Sequence, residues 1–213
     1  MTTSAPARLG RDFIARHGET VFNAARRLQG DAPHTPLTRA GFAQAEEMGL
    51  ALRDLLGPRP PLTLWASNAG RALQTLAIVA EHLELDWHEA NVDPRLAEIG
   101  MGSWGGRYYA DVIGEVGPVI DAEGLLRPAP DGEDYPSIAR RVSGWLADTA
   151  RDPGDRLVIM HGISSRVMRG VMTGTPVGRY GSPVLPGHPQ GTVTLIEGGR
   201  ESVAHLGTGH APA

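Results

Sequence analysis

Apolar positions along the 213-residue chain follow two rhythms. Short stretches at residues 13–15, 62–65 and 157–160, apolar throughout except for Thr63, have the length of buried strands. Between them, apolar residues recur at three- and four-residue steps, the period of a helix. Thr38 can cap the first such stretch, which carries Gly41, Ala45, Met48, Leu52 and Leu55 on one face and stops at Gly57-Pro58. Ser67 can cap a second, with Ala69, Leu73, Leu76, Ala80 and Leu83 on its face. A third has Pro136 in its first turn, presents Tyr135, Ile138, Val142, Trp145 and Thr149, and ends at Asp152-Pro153-Gly154-Asp155. A fourth, over 163–172, follows the 157–160 run directly. Residues 87–92 fit a strand, and 192–196 with 202–205 fit a hairpin turning at Glu197-Gly198-Gly199-Arg200. Residues from about 100 to 133 keep neither rhythm, are rich in Gly and Pro, and read as a short cap insertion over the sheet. Residues 1–11 read as a flexible arm and 12–213 as one domain. Strands alternating with helices predict a three-layer α/β/α sandwich with a mainly parallel central sheet.

Composition removes several chemistries. Cysteine is absent, which excludes disulfides, thiolate metal sites and cysteine nucleophiles. Lysine is absent too, and all 20 basic residues are arginine. That excludes a Schiff-base lysine and the lysine of a phosphate-binding P-loop. A formal net charge of -4 with no basic excess argues against a nucleic-acid partner. No run approaches the ~18 apolar residues of a membrane span, and the first residues lack the apolar centre of a signal peptide. The expected setting is the cytoplasm, with no membrane partner.

Two strands end alike. Ile14-Ala15 runs into Arg16-His17-Gly18, and Ile159-Met160 runs into His161-Gly162. Open α/β sheets bind ligands beyond the carboxyl ends of their strands, so both histidines fall at the expected active-site edge. A glycine after each lets backbone amides approach a ligand, and helix N-termini there favour an anion.

The segment Arg16-His17-Gly18-Glu19-Thr20, with Asn23 behind it, resembles the opening signature of the histidine phosphatase superfamily, which includes cofactor-dependent phosphoglycerate mutases. The resemblance continues in order through Arg27-Leu28-Gln29-Gly30-Asp31, Pro36-Leu37-Thr38, Gly41 and Gln44-Ala45. It then takes in Ser67, Arg71-Ala72, Gln74-Thr75, Arg95-Leu96 with Glu98, Gly102, Trp104, Gly132-Glu133 and His161-Gly162. It implies His17 as the nucleophile that accepts the phosphoryl group. Arg16, Arg71, Asn23 and His161 would donate to the phosphoryl oxygens, for which arginine forks are suited. Glu98 would be the proton donor to the leaving oxygen. Gln29, Gly30 and Gly162 are expected to touch substrate. No cofactor and no metal are implied, the substrate is a small phosphomonoester, and a homodimer is left open.

The absence of lysine and the short insertion favour a phosphatase over a phosphoglycerate mutase, because the mutases carry a longer insertion and a basic, lysine-containing stretch for the substrate carboxylate. Family phosphatases often have Trp-Glu-Gly where this chain has Trp104-Gly105-Gly106, so the substrate is not assigned. A non-catalytic binding module on the same scaffold is the alternative from another class. A metal hydrolase would need helix-spaced ligands such as HExxH, which the chain does not have.

Overall fold

The structure, a computed structural model, describes residues 9–210. Six strands form one sheet: β1 (Asp12–Arg16), β2 (Leu62–Ala66), β3 (Asn91–Val92), β4 (Asp155–Met160), β5 (Val193–Glu197) and β6 (Arg200–His205), in the order β3-β2-β4-β1-β5-β6. The pairings β1–β4, β2–β4 and β2–β3 are parallel; β5 joins β1 antiparallel and turns back into β6. The helices are α1 (Val21–Ala24), α2 (Arg39–Leu56), α3 (Gly70–Leu83), α4 (Tyr109–Val116), α5 (Tyr135–Asp148) and α6 (Gly162–Thr173). The expected layered α/β architecture is the one observed.

The unbroken apolar runs are explained by burial on both faces. Phe13, Ala15, Leu157 and Ile159 point into a core shared with α2 and α3. Ile14, Val158 and Met160, one residue out of phase, point into a second core with α5, α6 and the cap. Trp145 of α5 is fully buried there, and truncating such a side chain costs about 3–5 kcal/mol.

Four local expectations are corrected. Residues 87–92 are mostly not a strand: Trp87–Glu89 is a 3-10 turn in which Asp86 accepts from the His88 N–H (2.9 Å), and only Asn91–Val92 pair with β2. The helix after β2 begins at Gly70 with Ala69 as an N-cap that has no side-chain cap; Ser67, three residues earlier, accepts from the Ala69 N–H (3.3 Å) and faces His161 (2.8 Å). In α2 the terminal Leu55 is exposed; in α3 Leu73 is half-buried, and the buried face runs through Arg71, Ala72, Thr75, Leu76 and Val79. The cap is more ordered than its Gly and Pro content suggests. It holds α4, and its Trp104, Val112, Val119 and Leu126 extend the second core. Of the expected arm, residues 1–8 lie outside the described residues, while Arg11 is tied to Asp155 by an ion pair of 2.7 Å.

Candidate active site

β1 and β4 are parallel neighbours, so His17 and His161 emerge side by side at the carboxyl edge of the sheet. Their ring centroids lie 5.1 Å apart in an edge-on arrangement. The chain turns sharply after β1, and Gly18 permits this by packing rather than by approach to a ligand. A Cβ there would overlap the backbone of Gly41 in the first turn of α2, and the Gly18 N–H donates to Thr75 Oγ1 (3.2 Å). His17 Nδ1 lies 2.6 Å from Gly18 O. A carbonyl can only accept, so Nδ1 carries the proton and Nε2 keeps its lone pair.

Arg71 is the hub. Its Nε–H is shared between His17 Nε2 (3.2 Å) and His161 Nδ1 (3.1 Å). One terminal nitrogen donates to Ala32 O (2.6 Å) and Thr35 Oγ1 (2.9 Å), the other to Gly30 O (2.7 Å). The side chain is wholly buried, at the N-terminal turn of α3, where a cation is otherwise disfavoured. Since His161 Nδ1 accepts, its Nε2 is the protonated nitrogen and donates to Ser67 Oγ (2.8 Å). Burial first, then the neighbouring Arg71 and Arg16 cations, hold His17 well below the usual imidazole range, and burial and Arg71 do the same to His161. Both rings are therefore neutral near pH 7. A neutral Nε2 is the form that can attack phosphorus. Burial also brings Arg16 and Arg71 down to about 10, which leaves both charged.

A cavity of about 550 Å³ opens above His17. Arg16, His17, Asn23, Gln29, Gly30 and Glu98 line it; Arg71, His161 and Gly162 stand behind that lining. Arg16 donates through one terminal nitrogen to His188 O and His210 O (both 2.8 Å), while its buried Nε has no partner among the described residues. Asn23 receives the Thr20 N–H (3.1 Å) and hydroxyl (2.9 Å) on its amide oxygen in a capping box at α1, and this leaves its NH2 as the donor for the cavity. The single Thr20 hydroxyl proton is shared between the Asn23 amide oxygen and the Gln29 amide oxygen. Gly30 has φ +51°, and a Cβ would strike Met101 and Ile99 O. Glu98 accepts from the backbone N–H groups of Ile99 (3.0 Å), Ile163 (3.0 Å) and Ser164 (2.9 Å), the last two in the first turn of α6. This fixes its carboxyl against the cavity beside Arg16 and Arg71, whose charges it feels.

The expected residues gather at this sheet edge, although Gly162 is not part of the cavity lining, and one role changes. Both nitrogens of His161 are already engaged, so it offers the cavity no donor in this arrangement; it holds Arg71 instead. The other carboxylates near the motifs are structural. Glu133 is paired with Arg141 (2.8 Å), and Glu19 accepts from the Thr38 hydroxyl (2.7 Å). Sequence reasoning missed Tyr109, Gln190 and His210, which also line the cavity. Burial pushes the Tyr109 phenol up to about 12, so it stays a donor. His210 belongs to no motif; the tail beyond β6 carries it back so that its carbonyl meets Arg16. His188 reaches the site only through its carbonyl, its ring standing 2.8 Å from Arg169. Among the described residues no group of three or more His, Asp or Glu is placed to hold a metal ion.

The family model of the histidine phosphatase superfamily (branch 1) matches residues 13–207. A probable phosphoglycerate mutase GpmB from Enterobacter sp. (strain 638) is 34% identical over 176 residues, covering 77% of this chain and 75% of that protein. Its counterpart from Citrobacter koseri is 31% identical over 175 residues, with the same coverage of 77% and 75%. Among solved structures, a mycobacterial glucosyl-3-phosphoglycerate phosphatase complexed with VO3 superposes with a TM-score of 0.75 at 25% identity, covering 94% of this chain and all of that one (100%). A putative alpha-ribazole-5'-P phosphatase from Escherichia coli K-12 shares the fold, with a TM-score of 0.73 at 22% identity over 97% of this chain and 99% of that one.

Proposed function

Because the chain belongs to branch 1 of the histidine phosphatase superfamily, whose members here include phosphatases and mutases, we propose that it is a phosphomonoesterase working through a phosphohistidine at His17. One observation carries this reading: a buried, neutral imidazole whose Nδ1 proton is held by Gly18 O and whose Nε2 lone pair faces an arginine donor at the floor of a cavity. In the first half-reaction Nε2 attacks phosphorus, the N–P bond forms, and the ester P–O bond breaks. The Arg71 Nε–H, released from His17 Nε2, then donates to a phosphoryl oxygen, joined by the unpartnered Arg16 Nε and the Asn23 amide. Glu98 hands a proton to the leaving oxygen and takes one from the water that next attacks phosphorus and frees the imidazole.

The mutase-type alternative is favoured by the relatives named as probable phosphoglycerate mutases. It differs in the fate of the phosphoryl group, and a requirement for 2,3-bisphosphoglycerate in turnover of phosphoglycerate would identify it. The test of the main reading is His17→Ala. Phosphate release should fall by about 10⁴-fold or more with the circular dichroism spectrum retained. Wild type mixed with labelled ester should carry an acid-labile, base-stable adduct on His17. A variant with near-normal activity overturns the assignment.

A further inference from the structure

The cavity is much larger than a phosphoryl group needs; about 550 Å³ falls within the ~300–1,000 Å³ range of sites that enclose whole small molecules. Its phosphoryl end is polar, but the wall beyond is not. Ile99, Met101 and Ile163 of the body and Ile113, Ile120 and Leu126 of the cap line that side. Ile113 and Ile120 stand out because they are the accessible pair, one exposed and one half-buried, while Leu126 is buried. The charges of the cap are turned elsewhere. Arg107 is paired with Glu115, Arg127 lies over the Trp104 ring (5.6 Å) and reaches Val116 O, and Asp131 accepts from Ser103 (2.9 Å). At the mouth, Arg27 is held by Gly106 O and stands over the rings of Phe22 (4.5 Å) and Tyr108 (5.1 Å). Only Arg26 on the rim is an exposed cation without a partner among the described residues. A small, doubly acidic substrate such as phosphoglycerate would find Arg26 at the rim as its one free cation among the described residues and hydrocarbon along the rest of that wall.

We propose that this cap wall selects phosphomonoesters of apolar alcohols, with Ile113 and Ile120 as specificity-determining residues. The proposal rests on the phosphomonoesterase reading and names the leaving group that reading lacks. The ester oxygen sits at Glu98 and the hydrocarbon lies along the isoleucines. The reaction is unchanged: the P–O bond breaks, the alcohol takes the proton, and only the alcohol's carbon skeleton is in question.

Linear alkyl phosphates test this cleanly, since their leaving alkoxides are of closely similar basicity and differ in apolar length. From methyl through butyl to octyl phosphate, kcat/KM should rise about three- to fourfold for each methylene buried, until the wall is filled. In Ile113→Asn and in Ile120→Asn the ratio of kcat/KM for octyl to that for methyl phosphate should fall about tenfold for each substitution. 3-Phosphoglycerate should be a poorer substrate than butyl phosphate. A flat series in wild type, with methyl and octyl phosphate hydrolysed equally well, overturns the apolar wall and leaves the phosphatase reading standing. An unchanged octyl-to-methyl ratio in both variants overturns the roles of the two isoleucines. No phosphate release from any ester, with no adduct on His17, overturns the phosphatase reading and this inference with it.

Discussion

At the floor of the cavity Arg71 commits its guanidinium to His17, His161, Ala32, Thr35 and Gly30, and His161 donates its N–H to Ser67. At the cap wall, a few ångströms of hydrocarbon come from Ile113, Ile120 and Leu126, and the nearest charges are bound up with one another. The first region is a polar network inside the core, where each buried donor must find an acceptor and a substitution disturbs several partners at once. At Ile113 and Ile120 the second is a surface on which a side chain can change with little effect on the fold, whereas Leu126 belongs to the core. The contrast separates two tasks. The parallel pair β1–β4 holds the reacting atoms, and the insertion between α3 and α5 shapes what is attached to them.

After loss of His17 itself, breaking the floor at its hub should give the largest effect. Arg71→Lys keeps the charge but cannot bridge two imidazoles and three further acceptors, because an ammonium lacks the planar fork. Turnover should drop about 10²–10³-fold, the scale seen when one preorganised transition-state donor is lost. Stability should also fall by about 1–3 kcal/mol from carbonyls left unpaired. Phosphate release and urea denaturation measure the two. A variant with near wild-type turnover would show that the hub only supports the loop at 30–35.

The boundary between the two regions is Glu98, held by the first turn of α6 and facing the cavity. Glu98→Gln keeps the shape but cannot deliver a proton as an acid does. Hydrolysis of alkyl phosphates should slow about 10²-fold, within the usual contribution of a general acid. An activated aryl phosphate, whose leaving group departs unaided, should lose much less. Equal losses for both ester classes would make Glu98 a positioning residue for α6 and move it to the structural side of the comparison.

The two regions were also unequally legible in the sequence. Arg16-His17-Gly18 and His161-Gly162 could be read because a buried strand is a continuous apolar run, and a run that ends in His-Gly marks the sheet edge. Their neighbourhood in space followed from the parallel pairing, which an alternation of strands and helices implies. The glycine at 18 has a different reason from the one expected: a Cβ there would meet the backbone of Gly41 in α2, a tertiary neighbour that local pattern does not reveal. The role of His161 as a holder of Arg71 depends on tautomers set by Ser67 and Gly18, and no linear motif encodes these. The cap defeated the reading for another reason. Tyr109, Val112, Ile113 and Val116 do keep a helical spacing, but only over eight residues set among Gly and Pro, and α4 is fixed where Val112 reaches the second core. The carbonyls of His210 and His188 meet Arg16 across 194 and 172 residues of chain, closures that the pairing of β5 with β1 and, for His210, the return of β6 bring about.

The floor makes one further prediction, smaller than the others and independent of any substrate. His17 and His161 are buried in neutral form with lowered proton affinity, first through burial and then through Arg71. In the unfolded chain each would titrate near its ordinary value of 6.5. Below that pH the unfolded state binds protons that the folded state refuses, so acidification favours unfolding. The sign is therefore a loss of stability as pH falls from about 7 to 5, of up to about 1.4 kcal/mol per pH unit for each imidazole. Carboxylates held low, such as Asp93 and Glu201, lose their contribution only as pH falls past their ordinary values of 3.8 and 4.5, so the interval between 6.5 and 5 belongs to the histidines. Urea midpoints measured across that interval should shift down in wild type, and His161→Gln should remove about half of the slope. A wild-type midpoint that stays level between pH 7 and 5 would mean that the two rings are reached by solvent and protons, and the contrast between a sealed floor and an open cap would fail.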